Sequence, residues 1–461
     1  MSVSKHACIW SVLLLIFNGL FFSSIIPPFQ SPDEFQHLER AYLLTQGNLL
    51  LDSPPGVDSG GMMDTGLLDY MQAYGHLPFK PDVKLMKEEM KAAKEITWTG
   101  KKVFESSAGS AYYFPLIYLP QATGLMIGEE LGLTLATSYE LARYSALAFI
   151  AVVLFLAFRI YAVNPLLLAL VFIPMSVFQF SSASLDGVST ALSIFALSIF
   201  LKFMMKKSLN PDWLFYVCTV AILLVVTCRI HLMPMLLLPF VMALYSKSKT
   251  KFAVSVIATL LVGAWIYIVM THNTHNYIQN EIGSSSKEVV FHYVLHPWAF
   301  FVLVFQTIGR FFYSYATSFL GVLGWLDTIF PRIIYFVLAS LMVMIAGFSI
   351  SFKTEEPPKA ARWVLVLISL ASILLMFFIF LIMWNPHPAQ VIEGVQGRYF
   401  LVPCMMMAYA CCGIPSEERG YNRWAIAFWL VLLLEGVTLV STAQVLIGRY
   451  YASMSDIFLN F

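Results

Sequence analysis

Charge is what the 461-residue chain has least of: 12% of its residues are Asp, Glu, Lys or Arg, while 59% are hydrophobic. A soluble domain carries about a quarter charged residues, so this scarcity excludes that class and leaves a polytopic membrane protein. Neither sign of charge prevails. With 28 basic and 27 acidic side chains there is no basic stripe for nucleic acid and no acidic tail. A disulfide framework is missing too: Cys8, Cys218, Cys228, Cys404, Cys411 and Cys412 all lie in apolar runs, where a thiol acts as a small hydrophobe. No internal repeat or low-complexity tract is visible, which weighs against a transporter built from inverted repeats. No small-x-small cleavage site precedes Pro27 and Pro28, so the first apolar run reads as a retained helix rather than a signal peptide.

Long hydrophobic runs are what the chain does have. They cover 8–26, 139–161, 164–182, 185–205, 212–230, 232–246, 252–271, 332–352, 363–384, 396–413 and 424–447. Nearly all suffice to cross ~30 Å of hydrocarbon at 1.5 Å per residue; 232–246 is marginal. Two more stretches, 113–134 and 298–320, are ambiguous, and the lysines and arginines decide between them. If neither spans, Lys5, Arg159, Lys202, Lys206, Lys207, Lys247, Lys249, Lys251, Lys353, Lys359, Arg362, Arg419 and Arg423 all face the cytoplasm, as the positive-inside rule requires. The expected fold is a single all-α membrane domain over 1–461 with eleven transmembrane helices, N-terminus inside and C-terminus outside. The ambiguous stretches then lie on the outer membrane surface as amphipathic segments. A first periplasmic loop, 27–111, and a second periplasmic or interfacial region, 272–331, follow from this topology, and loops so long tend to carry function. Within the first, Lys80–Glu95 reads as a solvated helix with i,i+4 charge pairs.

The remaining polar residues gather on that outer side. Directly after the first helix stand Pro32-Asp33-Glu34 and then His37 and Arg40, with Glu34, His37 and Arg40 spaced to share one helical face. Asp33 occupies a natural capping position, so a plain cap and a surface salt-bridge ladder compete with a chemical role. Asp186 sits at the turn between two apolar runs, and Arg229 and His231 bracket another turn. Asp327 follows Trp325 in a loop, and Gln396, Arg398 and Tyr399 open a late helix. Charges at a membrane boundary are costly unless they pair or bind something. Arginine at this depth suits a lipid-linked phosphate, whose oxygens match the guanidinium fork; mutual ion pairing is the plainer alternative. His272 with His275, and Glu288 with His292 and His296, are spaced for metal ligation but make no full ligand set, so no cofactor is expected, a divalent metal being possible but not evident.

Five segments read in order, PPFQSPDEFQHLERAYLLTQG at 27–47, AYYFPLIYLPQATGLMIG at 111–128, FIPMSVFQFSSASLDG at 172–187, GVLGWLDTIFP at 321–331 and QGRYFLVP at 396–403, resemble the bacterial polytopic family catalogued as domain-of-unknown-function family 2142. That family looks related to the C-type, lipid-donor glycosyltransferases, and the architecture also resembles phage-encoded glucosyltransferases that modify O-antigen. The resemblance implies an acidic catalytic residue in the first outer loop, matching Asp33 with Glu34 beside it. The metal-binding acidic motifs of the oligosaccharyltransferase branch are not evident in the later loops.

The resulting expectation is an inverting glycosyltransferase of the bacterial inner membrane. It would move a sugar from a polyprenyl phosphate donor to an O-antigen or other envelope glycan at the periplasmic face, with a separate donor synthase and flippase as possible partners. Asp33 would be the base, with Glu34 as the other catalytic candidate. Arg398, then Arg229 or Arg40, would hold the donor phosphate. His37, Asp186, Asp327, Gln396 and Tyr399 would orient the acceptor or sugar. Tyr113 and Trp325, with Tyr112, would stack on sugar faces or merely anchor at the interface. A flippase and a glycan polymerase remain as rivals; the first should show helix breaks at mid-membrane, the second large late loops rich in arginine.

Overall fold

The computed structural model describes residues 2–205, 211–273, 286–351, 357–413 and 418–451; Lys206, Lys207, His275 and Lys353 lie outside these, as do the side chains of Lys5 and Arg419. The chain enters as α1 (Ser2–Ile25), which ends where Pro27 and Pro28 cannot continue a helix. Carbonyls left unpaired at that end need donors. The Arg143 guanidinium supplies them, reaching Ser23 O at 3.1 Å, Ile26 O at 2.8 Å and Pro27 O at 3.0 Å.

A lobe of short helices and strands follows, built from α2 (Glu34–Thr45), β1 (Gly60–Asp64), α3 (Thr65–Tyr74), α4 (Lys87–Lys94), β2 (Lys102–Ser106) and α5 (Leu119–Glu130). The strands pair antiparallel, with Gly60 opposite Ser106 and Asp64 opposite Lys102. Asp64 caps α3 through Gly66 N–H at 2.8 Å and also receives Gly100 N–H at 2.7 Å, so one carboxylate ties the hairpin to the helix. The charged stretch expected to be helical over Lys80–Glu95 is helical only over Lys87–Lys94. Ahead of it the chain is tied elsewhere: Val83 N–H closes a turn on Lys80 O, and Leu85 N–H goes to Tyr450 O. In 113–134, a 3-10 turn at Pro115–Tyr118 leads into the twelve residues of α5. That helix is about 18 Å long and too short to cross.

Next come α6 (Leu135–Ile160), α7 (Pro165–Phe172), α8 (Pro174–Phe180) and α9 (Leu185–Met205). The expected single span 164–182 is thus corrected to two short helices: Ile173 is extended, with ψ 153°, in front of Pro174, as the proline ring demands of its predecessor. Both pieces are buried along nearly their whole length. The chain continues through α10 (Trp213–Val226), a 3-10 stretch at Ile230–Leu236, α11 (Leu237–Ser246), α12 (Lys249–His272), α13 (Ser286–Leu295) and α14 (Pro297–Gly321). After these come the hairpin β3 (Val322–Leu323) and β4 (Thr328–Ile329), α15 (Arg332–Ser349), α16 (Lys359–Trp384), a 3-10 turn at Gly397–Phe400, α17 (Leu401–Cys411) and α18 (Glu418–Tyr450).

Eight helices among the described residues are long and apolar enough to cross a membrane: α1, α6, α9, α12, α14, α15, α16 and α18. Four helices that start or stop at the lobe carry a basic residue at the far end, although Arg143 and Arg449 stand at the lobe end of α6 and α18. Arg159 and Lys202 close α6 and α9; Lys249 and Lys359 open α12 and α16. The stretch 298–320, expected to stay out of the membrane, meets the length and composition test as α14. Its contacts are one-sided, however. Ile392 N–H donates to Thr307 Oγ1, Gly397 N–H to Ser318 Oγ, and Trp325 Nε1 just beyond the helix to Phe29 O. Middle and end of α14 therefore touch segments at the lobe end of the bundle.

Candidate active site at the lobe end of the bundle

Asp33 follows Pro32 and adopts a left-handed backbone, φ 62° and ψ 8°, which is uncommon outside glycine and costs on the order of 1 kcal/mol. It stands at the capping position of α2 yet makes no side-chain capping bond, so the cap reading is set aside. Its carboxylate turns outward instead, 52% exposed, and its Oδ2 accepts from Arg398 Nη2 at 2.8 Å. Glu34, one residue on, has the opposite fate. Completely buried, it accepts Ser31 N–H at 3.0 Å, Ala183 N–H at 2.7 Å and the Tyr139 hydroxyl at 2.8 Å, with Arg143 Nε 3.7 Å away. Those partners saturate the carboxylate, and Glu34 is a structural acid that fastens α2 to the α8–α9 turn.

Arg398 is delivered by the 3-10 turn Gly397–Phe400, which presses on α14. A Cβ at Gly397 would fall 2.1 Å from Phe319 N, so only glycine allows this approach. The guanidinium is buried and reaches three oxygens: Asp33 at 2.8 Å, Asp186 Oδ2 at 3.4 Å and the Tyr399 hydroxyl at 3.4 Å. Asp186 lies in the first turn of α9, where the helix dipole favours its charge, and it also pairs with Arg229 beyond α10. The result is a ladder of two carboxylates and two guanidiniums, Asp33–Arg398–Asp186–Arg229, whose charges compensate burial. A small cleft of about 20 Å³ borders it, lined by Gln179, Asp186, Arg229, His231, Arg398 and Tyr399.

Burial pulls the Asp33 carboxyl upward, but the Arg398 guanidinium beside it, helped by Arg229, outweighs burial and holds it below the ordinary carboxylate range. His37, one turn along α2, is enclosed, and burial pushes it down to about 3, so it is neutral at physiological pH. Its Nδ1 lies 2.8 Å from the Tyr118 hydroxyl and its ring 5.8 Å from that of Tyr113.

Other sequence candidates sit elsewhere. Glu34, His37 and Arg40 do lie at successive turns of α2, but each goes to its own partner rather than forming a ladder. Arg40, fully buried, donates to Asn48 O at 3.1 Å and Leu49 O at 2.6 Å; those carbonyls take the donors a phosphate would need. Asp327 pairs with Arg449 at 2.9 Å, both buried. Trp325 donates its indole N–H to Phe29 O at 2.9 Å, and its ring lies near Phe35 and Phe79. Gln396 borders the cleft's arginine with a buried side-chain carbonyl that has no hydrogen-bond partner. His292 packs 4.8 Å from His296 and 5.0 Å from His387, and among the described residues no three His, Cys, Asp or Glu side chains gather as metal ligands do.

Tyr118, Arg143 and Arg449 were not singled out from the sequence. Tyr118 had a local signal, in that Pro115 at the start of its 3-10 turn aims it back at α2.

The model of the predicted membrane proteins of domain-of-unknown-function family 2142 matches residues 15–408. The chain belongs to that family. Asp33, Asp186, Arg229 and Arg398 all fall within the family 2142 match, whereas Arg449 lies beyond it. No curated protein and no solved structure matches the chain.

Proposed function

We propose that the protein is an inverting glycosyltransferase that moves a sugar from a polyprenyl phosphate to a hydroxyl of an envelope glycan, at the periplasmic face of the bacterial inner membrane. One observation carries the reading: Asp33 is a half-exposed carboxylate held against a buried guanidinium, beside a cleft lined by a second arginine. The acceptor hydroxyl gives its proton to Asp33 as its oxygen bonds the anomeric carbon. The bond from that carbon to the phosphate oxygen breaks, and the polyprenyl phosphate leaves with the electron pair. Arg398 and Arg229 meet the charge that develops on it. In the unliganded state Arg398 is engaged by Asp33, which keeps the base weak. A donor phosphate competes for the guanidinium fork, and as Arg398 turns to it, the carboxylate regains proton affinity.

The topology that serves this reading has eleven crossings, with the N-terminus and the lysine-rich helix ends in the cytoplasm and the lobe in the periplasm. Here α14 lies along the outer surface. Trp298, Phe305 and Phe312 are exposed on one face, toward lipid, while Thr307 and Ser318 bond the protein on the other. A donor synthase and a flippase would supply the lipid-linked sugar. The test is the purified protein given polyprenyl phosphate hexose and envelope glycan. A single added residue in the product supports transfer, an altered chain length points to a polymerase, and an unchanged glycan sinks the reading.

A further inference from the structure

A second cavity lies apart from the cleft. Its volume is about 210 Å³, smaller than a typical drug-sized site but about ten times that of the cleft. Its walls come from the last turn of α1 (Ser23, Ser24), the first turns of α6 (Tyr139, Glu140, Arg143, Tyr144), Tyr70 and Tyr74 of α3, and Lys94 at the end of α4. Because α1 and α6 are both long enough to span, the cavity lies at the level of one membrane boundary, under the lobe. Tyr144, 39% exposed, stands at its edge as interfacial tyrosines do. On the bilayer side the walls continue as two apolar stripes open to lipid: Leu20, Phe17 and Leu13 on α1, and Ala148, Val152 and Phe155 on α6.

The charges there are mixed and unequal in what they can offer. Arg143 gives its guanidinium hydrogens to three backbone carbonyls, so it contributes charge but few contacts. Lys94 and Glu140 are the other opposite charges of the wall and lie near each other, with tyrosine hydroxyls beside them. A ligand suited to this wall carries a phosphate for the ammonium and a hydrogen-bonding cation for the carboxylate, on a body with apolar tails. We propose that the cavity holds the headgroup of an amine-bearing zwitterionic phospholipid, its phosphate toward Lys94, its ammonium against Glu140 and its chains along the two apolar stripes.

The experiment uses the full-length protein in detergent, with retained lipid counted by native mass spectrometry. Equal amounts of palmitoyl-oleoyl phosphatidylethanolamine, phosphatidylcholine and phosphatidylglycerol are the probes. Phosphatidylethanolamine should be retained at least fivefold over phosphatidylcholine, whose methylated ammonium cannot donate to a carboxylate. Glu140→Gln should erase that discrimination, and Lys94→Ala, on the lobe rather than on a span, should lower retention of both zwitterionic lipids. Asp33→Asn should leave the selection as it is, which separates this site from the cleft. Equal retention of the two zwitterionic lipids, a preference for phosphatidylglycerol, or displacement by equimolar soluble phosphoethanolamine would each overturn the assignment.

Discussion

Two of the arginine–carboxylate pairs at the lobe end of this molecule differ in what surrounds them. Asp33 and Arg398 meet at 2.8 Å with the carboxylate 52% exposed, whereas Asp327 and Arg449 meet at 2.9 Å with side chains only 8% and 4% exposed. Arg449 gives two further hydrogen bonds to Val83 O and Leu77 O, and Lys84 reaches back to the carbonyls of Gly448 and Arg449. That pair is a clamp, closing the lobe onto the end of α18. Asp33, by contrast, accepts a strained backbone and forgoes the capping bond its position offers. The same ion-pair chemistry thus fastens chain where it is enclosed and remains available to a ligand where it is open.

The largest effect should come from breaking the clamp. Asp327→Ala leaves a buried guanidinium with only carbonyl partners, and loss of one member of a buried pair costs about 3 kcal/mol. Thermal unfolding in detergent should show a clear loss of stability, while sugar transfer at low temperature persists. A silent Asp327→Ala variant would mean that the clamp is as loose as the cleft. The opposite profile is expected at the open pair. Asp33→Asn should lower turnover by about a hundredfold or more, since positioned proton transfer contributes ~10² to 10⁴, with the melting temperature nearly unchanged. Transfer at a near-normal rate by Asp33→Asn would remove Asp33 as the base.

Much of the open site was legible because the chain has so little charge. Asp33, Asp186, Arg229 and Arg398 stand out at the edges of apolar runs, and a charge there needs a reason. What spacing does not reveal is who pairs with whom. Asp33 and Glu34 are neighbours of the same chemistry, and only the packing of Tyr139 and Ala183 around one of them tells the buried acid from the exposed one. Arg40 stood behind Arg398 as a phosphate ligand, and the fold turns two carbonyls toward it. The break at Pro174 was written in the sequence, but a proline can kink a span as well as end one, and hydropathy cannot distinguish the two. The mostly helical membrane architecture was legible throughout, since composition and run length determine it.

A smaller effect separates charge from geometry within the cleft. Arg398→Lys keeps a cation beside Asp33 but loses the planar fork that spans Asp33 and Asp186. Donor binding should weaken about tenfold, the loss of roughly one charge-assisted hydrogen bond. Steady-state kinetics should show this as a raised KM for the lipid donor with kcat falling less. An equal fall in kcat at unchanged KM would place Arg398 in the chemical step alone.

The smallest effect is a pH dependence that reports how closed the α2 face is. His37 is pushed down to about 3 by burial, against an ordinary value of 6.5 in the unfolded chain. As pH falls below 6.5 the unfolded state takes up a proton that the native state refuses, so stability declines with acidification until about pH 3. Between pH 6.5 and 5.5 the loss is about 1 kcal/mol. Glu39, on the same helix, works in the other direction: burial raises it to about 8, so the unfolded chain loses its proton first and stability declines as pH rises from about 4.5 to 8. The two slopes oppose each other in the wild type, and the comparison must be with His37→Gln, which retains a partner for Tyr118 and cannot titrate. In melts at pH 7.5, 6.5 and 5.5 the wild type should lose ground to His37→Gln only on the acid side. Parallel curves would mean that His37 protonates freely in the native state and that the α2 face opens to water as Asp33 does.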